Sequence, residues 1–101
     1  MSDNLDQFNV LRKIKSKPNS SQRELASELG FSLGKLNYCL KALKEKGLIK
    51  IQNFRKDPNK LRYAYILTPK GMNAKTKITL NFMRRKMREY DELKAEIEKE
   101  D

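Results

Sequence analysis

Ser21, Gly30 and Ser32 punctuate the chain at a spacing that leaves few folds open. Ser21-Gln22-Arg23-Glu24 has the capping-box pattern: the Ser hydroxyl accepts the backbone N–H of Glu24, and Glu24 reaches back to the N–H of Ser21. Leu25, Ala26 and Leu29 then supply the apolar stripe of a short helix. Gly30 stands where a left-handed residue closes a helix. Phe31 is expected to plug the core from the turn, and Ser32 to cap the next helix. On that helix Leu33, Leu36, Leu40 and Leu43 share one face, and Gly47 ends it. Two helices joined by a turn of about three residues make a helix-turn-helix.

The flanking segments complete the architecture. Leu5, Phe8, Leu11 and Ile14, with Val10 beside them, predict a first amphipathic helix over residues 4–16, ended by Pro18-Asn19-Ser20. Residues 48–54 and 61–67 are rich in β-branched and aromatic types and predict two strands. The polar segment Arg55-Lys56-Asp57-Pro58-Asn59-Lys60 between them predicts the turn of a hairpin. A hairpin directly after the third helix is a wing. Thr68 and Pro69 open a last helix at its cap and first position. It runs to near Lys99 without another proline, a length of about 45 Å at 1.5 Å per residue. The fold class expected is mainly α with a small β-hairpin. A winged helix-turn-helix occupies residues 1–71, with its wing at about 48–67, and a long dimerisation helix occupies 69–101.

Charge says what such a fold would meet. The net charge is +10 over 101 residues. It is concentrated: residues 32–71 carry a net +8 and residues 72–88 a net +6, whereas residues 89–101 carry −5. A field of this kind favours a polyanion, nucleic acid first and an anionic membrane surface second. No stretch has the roughly 18 apolar residues of a membrane span, and the polar Met1-Ser2-Asp3-Asn4 start has no apolar signal core. One cysteine, Cys39, excludes an intrachain disulfide and fits a reducing cytoplasm. Its place at the border of the apolar face predicts a buried structural thiol. Enzymatic chemistry is poorly supplied. There is no histidine to act as base or metal ligand, and Gly30, Gly34, Gly47 and Gly71 stand apart, forming no phosphate loop. The chain is therefore expected to be no enzyme and to need no cofactor or metal.

Opposite its leucines, the third helix shows Gly34, Lys35, Asn37, Tyr38 and Lys41. This set suits a DNA major groove. Asn37 has the paired donor and acceptor that read adenine, and Lys35 or Lys41 bonds guanine or phosphate. Tyr38 stacks on a sugar or donates to a phosphate. Gly34 allows close approach, and the N–H groups near Ser32 favour a phosphate. Arg55, Lys56, Lys60 and Arg62 flank the wing turn and suit a narrow minor groove, while Gln22 and Arg23 are placed to hold phosphates. The plainer alternative makes Lys35, Lys41, Lys44 and Lys46 a solvated face and the wing charges a guard against edge pairing. The interleaved Asn and Tyr favour contact with DNA. On the last helix Leu80, Met83, Met87, Tyr90 and Ile97 recur at heptad steps, with Leu93 flanking and Lys94 interrupting. The stripe predicts a homodimer; the rival is a helix folded back on its own core. Basic Arg84-Arg85-Lys86 and acidic Glu96, Glu98 and Glu100 leave parallel and antiparallel pairing both open.

Several segments also carry a resemblance. Gln22-Arg23-Glu24-Leu25-Ala26, Ser32-Leu33-Gly34-Lys35, Asn37-Tyr38-Cys39-Leu40-Lys41-Ala42-Leu43 and Lys46-Gly47-Leu48-Ile49-Lys50 resemble the MarR-type regulators of bacteria. So does Tyr63-Ala64-Tyr65-Ile66-Leu67-Thr68-Pro69-Lys70-Gly71. Within that family the chain is similar to the short subgroup called EPS-associated MarR-family transcriptional regulators. The resemblance implies a winged-helix homodimer that binds double-stranded operator DNA. It also implies a link to extracellular polysaccharide genes, and leaves a small-molecule effector unassigned. Full-length relatives pair through helices from both ends, whereas this sequence has a short N-terminal helix and one C-terminal helix. Two alternatives use the same residues: a protein-interaction module on a winged-helix scaffold, or an RNA-binding basic domain that stacks bases on Tyr63 and Tyr65.

Overall fold

The computed structural model describes residues 3–57 and 60–100, with side chains for 4–52 and 64–100. Its elements are α1 (Asp3–Ser16), α2 (Gln22–Leu29), α3 (Leu33–Glu45), β1 (Ile49–Asp57), β2 (Lys60–Leu67) and α4 (Pro69–Lys99). The fold is a winged helix-turn-helix continued by one long helix.

The caps act where the sequence places them. The Ser21 hydroxyl accepts the backbone N–H of Glu24 at 3.1 Å and donates to the Glu24 carboxylate at 3.0 Å. Gly30 takes the left-handed conformation, φ 70°, so the next amide, on Phe31, turns back to the Ala26 carbonyl at 2.9 Å. That closure satisfies a carbonyl the helix end would otherwise strand, and it turns Phe31 onto the core. Ser32 accepts the N–H of Lys35 at 3.1 Å and starts α3 at once.

Val10, Leu11 and Ile14 from α1 meet Leu25 and Ala26 from α2 in the core. Leu36, Cys39, Leu40 and Leu43 from α3 join them, with Leu48 and Ile49 at the base of the wing. Burying each of the larger side chains contributes about 1.5–3 kcal/mol. Cys39 is buried, as its position predicts. Two expected core residues are not. Leu33 is 49% exposed, because it opens the helix and lies just outside the arc from Cys39 to Leu40; Cys39 takes its place in the buried face. Leu5 is 43% exposed, one turn beyond the end of the packed part of α1.

The strands pair antiparallel from Ile49 opposite Leu67 to Asp57 opposite Lys60, with an irregularity between Arg55 and Asp57. They run beyond the expected limits at 54 and 61 into the predicted turn. Polar side chains do not stop a hairpin whose ladder is still being paired and whose faces can meet water. Ala64 is fully buried at its base.

The start of α4 is clamped to the junction of α3 and β1. Thr68 donates its N–H to the Leu48 carbonyl at 3.0 Å and its hydroxyl to the Gly47 carbonyl at 2.6 Å. The same hydroxyl caps α4 by accepting the N–H of Gly71 at 3.0 Å. Gly71 is buried so closely against Leu48 that a Cβ would overlap the Leu48 carbonyl. Further along, Phe82 stacks on Phe8 of α1, centroids 5.2 Å apart. The Arg12 and Arg85 guanidiniums lie over those two rings. An open groove of about 520 Å³ beside this stack is lined by Leu5, Gln7, Phe8, Ile78 and Phe82 among others. The helix is thus tied to its own body as far as Phe82, a contact the sequence pattern does not announce. From Met83 to Glu100 every residue is exposed, and the chain reaches 69 Å in its longest dimension against 26 and 25 Å across. Among the described residues no helix is long and apolar enough to cross a membrane.

Gly71→Ala should cost about 1–3 kcal/mol, the range for forcing extra volume into a packed site. Urea unfolding checks this; an unchanged midpoint would show that Leu48 yields freely.

Candidate nucleic-acid interface

With Leu36, Cys39, Leu40 and Leu43 turned inward, at about 100° per residue the opposite side of α3 presents Gly34, Asn37, Tyr38, Lys41 and Lys44. All five are exposed, Tyr38 by 61%. A Cβ on Gly34 would meet nothing within 4 Å, so the front of the helix faces open space. Asn37, Lys41 and Lys44, at i, i+4 and i+7, line a shallow groove of about 440 Å³ beside the wing, together with Leu40, Glu45 and Tyr65. Lys44, which the sequence pattern left among the solvated lysines, therefore stands in line with Asn37 and Lys41. Its signal was the repeat of polar residues at helical spacing.

Lys35 sits elsewhere. It is on the flank of α3, its ammonium 3.3 Å from the Asp6 carboxylate of α1 and 4.3 Å from the centre of the Phe31 ring. Lys46 leaves the face as well, donating to the Gln7 side-chain oxygen of α1 at 2.8 Å. Both lysines tie α3 to α1. Ser32, at the α3 cap, is exposed.

At the start of α2, Arg23 is exposed, while Gln22 is half-buried and donates its side-chain amide to the Asn37 side-chain oxygen. The two predicted residues are thus brought into one hydrogen-bonded pair across the turn. The other end of α2 is held by Glu28, which accepts from Lys17 at 2.5 Å and Lys13 at 3.5 Å, both at the end of α1. The Lys17 hydrogen bond and charge hold the Glu28 carboxylate below its usual range. The side chains of Arg55, Lys56, Lys60 and Arg62, and of Tyr63, lie outside the described residues. Tyr65 packs partly against the core, and burial raises its phenol pKa. Its ring is half committed to packing and so is poorly placed to receive a stacked base.

Among the described residues no group of three or more His, Cys, Asp or Glu side chains is placed to hold a metal. The arrangement offers a convex helix bearing an amide, a phenol and two ammonium groups, with a strand hairpin at its side.

A family model described as winged helix-turn-helix DNA-binding matches residues 7–50. A search of curated proteins gave no match. Similar solved structures are transcription regulators. MarR of Staphylococcus aureus, solved with salicylate and kanamycin, is 25% identical, with a TM-score of 0.67 over 80% of this chain and 53% of that one. PcaV of Streptomyces coelicolor, solved with its natural ligand, is 20% identical, with a TM-score of 0.68 over 77% and 54%. FabT of Streptococcus pneumoniae, solved with DNA, is 20% identical, with a TM-score of 0.64 over 82% and 56%. This chain spans a little over half the length of these regulators.

The Glu28 tie has a pH signature. Its folded-state pKa lies below the ordinary value of 4.5, so the tie stabilises the fold above that value and is lost as the pH falls through the lowered one. Glu28→Gln should unfold more readily than the parent near neutral pH, and the difference should shrink as the pH falls below the ordinary carboxylate range and vanish once Glu28 is protonated in both states. Thermal melts across that range test it; a gap that persists in acid would assign the effect to packing.

Proposed function

We propose that the chain is a sequence-specific DNA-binding transcriptional regulator of the MarR type, acting as a homodimer on a roughly two-fold symmetric operator in a bacterial cytoplasm. The observation that carries this reading is the division of α3. One side is core, and the other offers Gly34, Asn37, Tyr38, Lys41 and Lys44 to a groove. An α-helix fits the major groove, and these side chains match its donors, acceptors and phosphates. FabT, which shares the fold, was solved with DNA and supports the same use here.

Each site residue then has a task. Asn37 reads a base edge, and Gln22 holds its oxygen so that the amide nitrogen faces an acceptor such as adenine N7. Lys41 and Lys44 bond guanine or phosphate, and Tyr38 a phosphate or sugar. Ser32 and Gly34 let the start of α3 approach the backbone, where exposed N–H groups meet a phosphate. Arg23 holds the neighbouring strand, and Arg55, Lys56, Lys60 and Arg62 reach the adjacent minor groove. Lys35 acts indirectly, by fixing α3 to α1 through Asp6. Residues 1–71 form the DNA-binding unit, and 69–101 the dimerisation helix through Leu80, Met83, Met87, Tyr90, Leu93 and Ile97. The likeness to the EPS-associated subgroup points to extracellular polysaccharide genes as the regulated set, and rests on sequence resemblance alone.

Selection of bound DNA from a random pool should return a two-fold symmetric motif; a pool with no consensus would favour a protein-interaction scaffold. Lys41→Glu should abolish binding to the selected site while leaving the circular dichroism unchanged, and retained affinity at fixed salt would remove Lys41 from the interface. Arg55→Ala should weaken binding to all sequences alike and lower the salt slope by about one unit.

A further inference from the structure

The exposed half of α4 carries more than an apolar stripe. Leu80, Met83, Met87, Tyr90, Lys94 and Ile97 alternate at steps of three and four, which is the seam of a two-stranded coil. All six are exposed, from 46% at Leu80 to 68% at Ile97 among the apolar ones. The face that α4 turns to α1 is a different one, marked by Ile78, Phe82 and Arg85. The seam is therefore open along its whole length, and Thr76 and Lys77 beside its first turn are exposed too.

We propose that the seam is filled by α4 of a second copy, running antiparallel, with Met87 against the partner's Tyr90. This deepens the homodimer reading above and rests on it. The register follows from the seam itself. When Met87 faces the partner's Tyr90, Met83 faces the partner's Lys94 and Leu80 faces the partner's Ile97. All three pairs share one two-fold axis, which crosses the helix between Arg88 and Glu89.

Charge selects this orientation. Lys77, Arg84, Asp91 and Glu98 recur every seven residues along one side of the seam. In an antiparallel pair, positions on one side meet their own kind in reverse order. Lys77 then meets the partner's Glu98, and Arg84 meets the partner's Asp91, so symmetry gives four contacts of opposite sign. A parallel pair would set Lys94 against the partner's Lys94 inside the seam, and would lay the basic run 84–88 and the acidic run 96–100 each beside its own copy. The antiparallel arrangement also places the two winged bodies at opposite ends of the pair. Their Gly71 residues then stand about 50 Å apart along it at 1.5 Å per residue, and neither body obstructs the other's helix.

Cysteine cross-linking of the full chain separates the orientations. Met83→Cys and Lys94→Cys alone should stay uncross-linked under mild oxidation, as should the parent with its buried Cys39. A mixture of the two variants, or the double variant, should form the covalent dimer in most chains. Efficient cross-linking of Met83→Cys alone would establish parallel pairing and overturn the proposal, as would a parent chain that sediments as a monomer. Arg84→Glu should raise the dimer dissociation constant by about tenfold, and Arg84→Glu with Asp91→Arg should restore it; an Arg84→Glu variant that dimerises like the parent would overturn the charge pairing. DNA selection on the parent chain is run alongside. A chain that selects a site yet cross-links in parallel refutes the orientation and leaves the regulator reading standing.

Discussion

Two carbonyl groups, those of Gly47 and Leu48, fix the relation between the helix that offers the polar face and the helix that carries the exposed seam. Gly47 accepts the Thr68 hydroxyl, and Leu48 accepts the Thr68 amide. The Leu48 amide in turn closes α3 by bonding the Leu43 carbonyl at 3.0 Å. One short segment therefore ends α3, opens the wing and seats the start of α4. Gly71 allows the seat to be this close, since any side chain there would meet backbone, which cannot swing aside. The wing hairpin leaves from this point and returns to it, so its length can vary at the tip without moving either helix.

Two sets of lysines in the winged body differ in what they touch. Lys13, Lys17, Lys35 and Lys46 are engaged by Glu28, Asp6 and Gln7, and they hold α1 to α2 and α3. The exposed pairs of Glu28 with Lys13 and Lys17 are individually weak. Their value here is positional: they set the tilt of the helix-turn-helix on α1. Lys41 and Lys44 project into the groove beside the wing instead. A sequence count of positive charge adds both groups together and so overstates what α3 can present to a polyanion.

Much of the fold could be read in advance because it is written in local signals. As caps, Ser21, Gly30, Ser32 and Thr68 each act on backbone groups at most a few residues away, and the structure places these four caps where the spacing predicts. What could not be read depends on which elements meet. Leu33 has the right type and spacing for the core but lies outside the arc that α1 and α2 cover. Phe82 belongs to a helix whose obvious stripe is elsewhere, and only the arrival of Phe8 from the other end of the chain gives it a partner. The same holds at the polar face. Asn37 and Lys41 were visible as an outward set, whereas the bond from Gln22 to Asn37 and the loss of Lys35 to Asp6 arise from contacts between helices.

The seat of α4 has a mechanical consequence. A rod of 31 residues held at one end magnifies any angular play there. At 1.5 Å per residue, one degree of swing at the base moves the tip by roughly 0.8 Å. Two hydrogen bonds from Thr68, one from its amide and one from its hydroxyl, hold the base, and the ring stack at Phe82 adds a second point of support. The chain thus behaves as a bracket more than as a tether, and whatever grips the far end feels the attitude of α3.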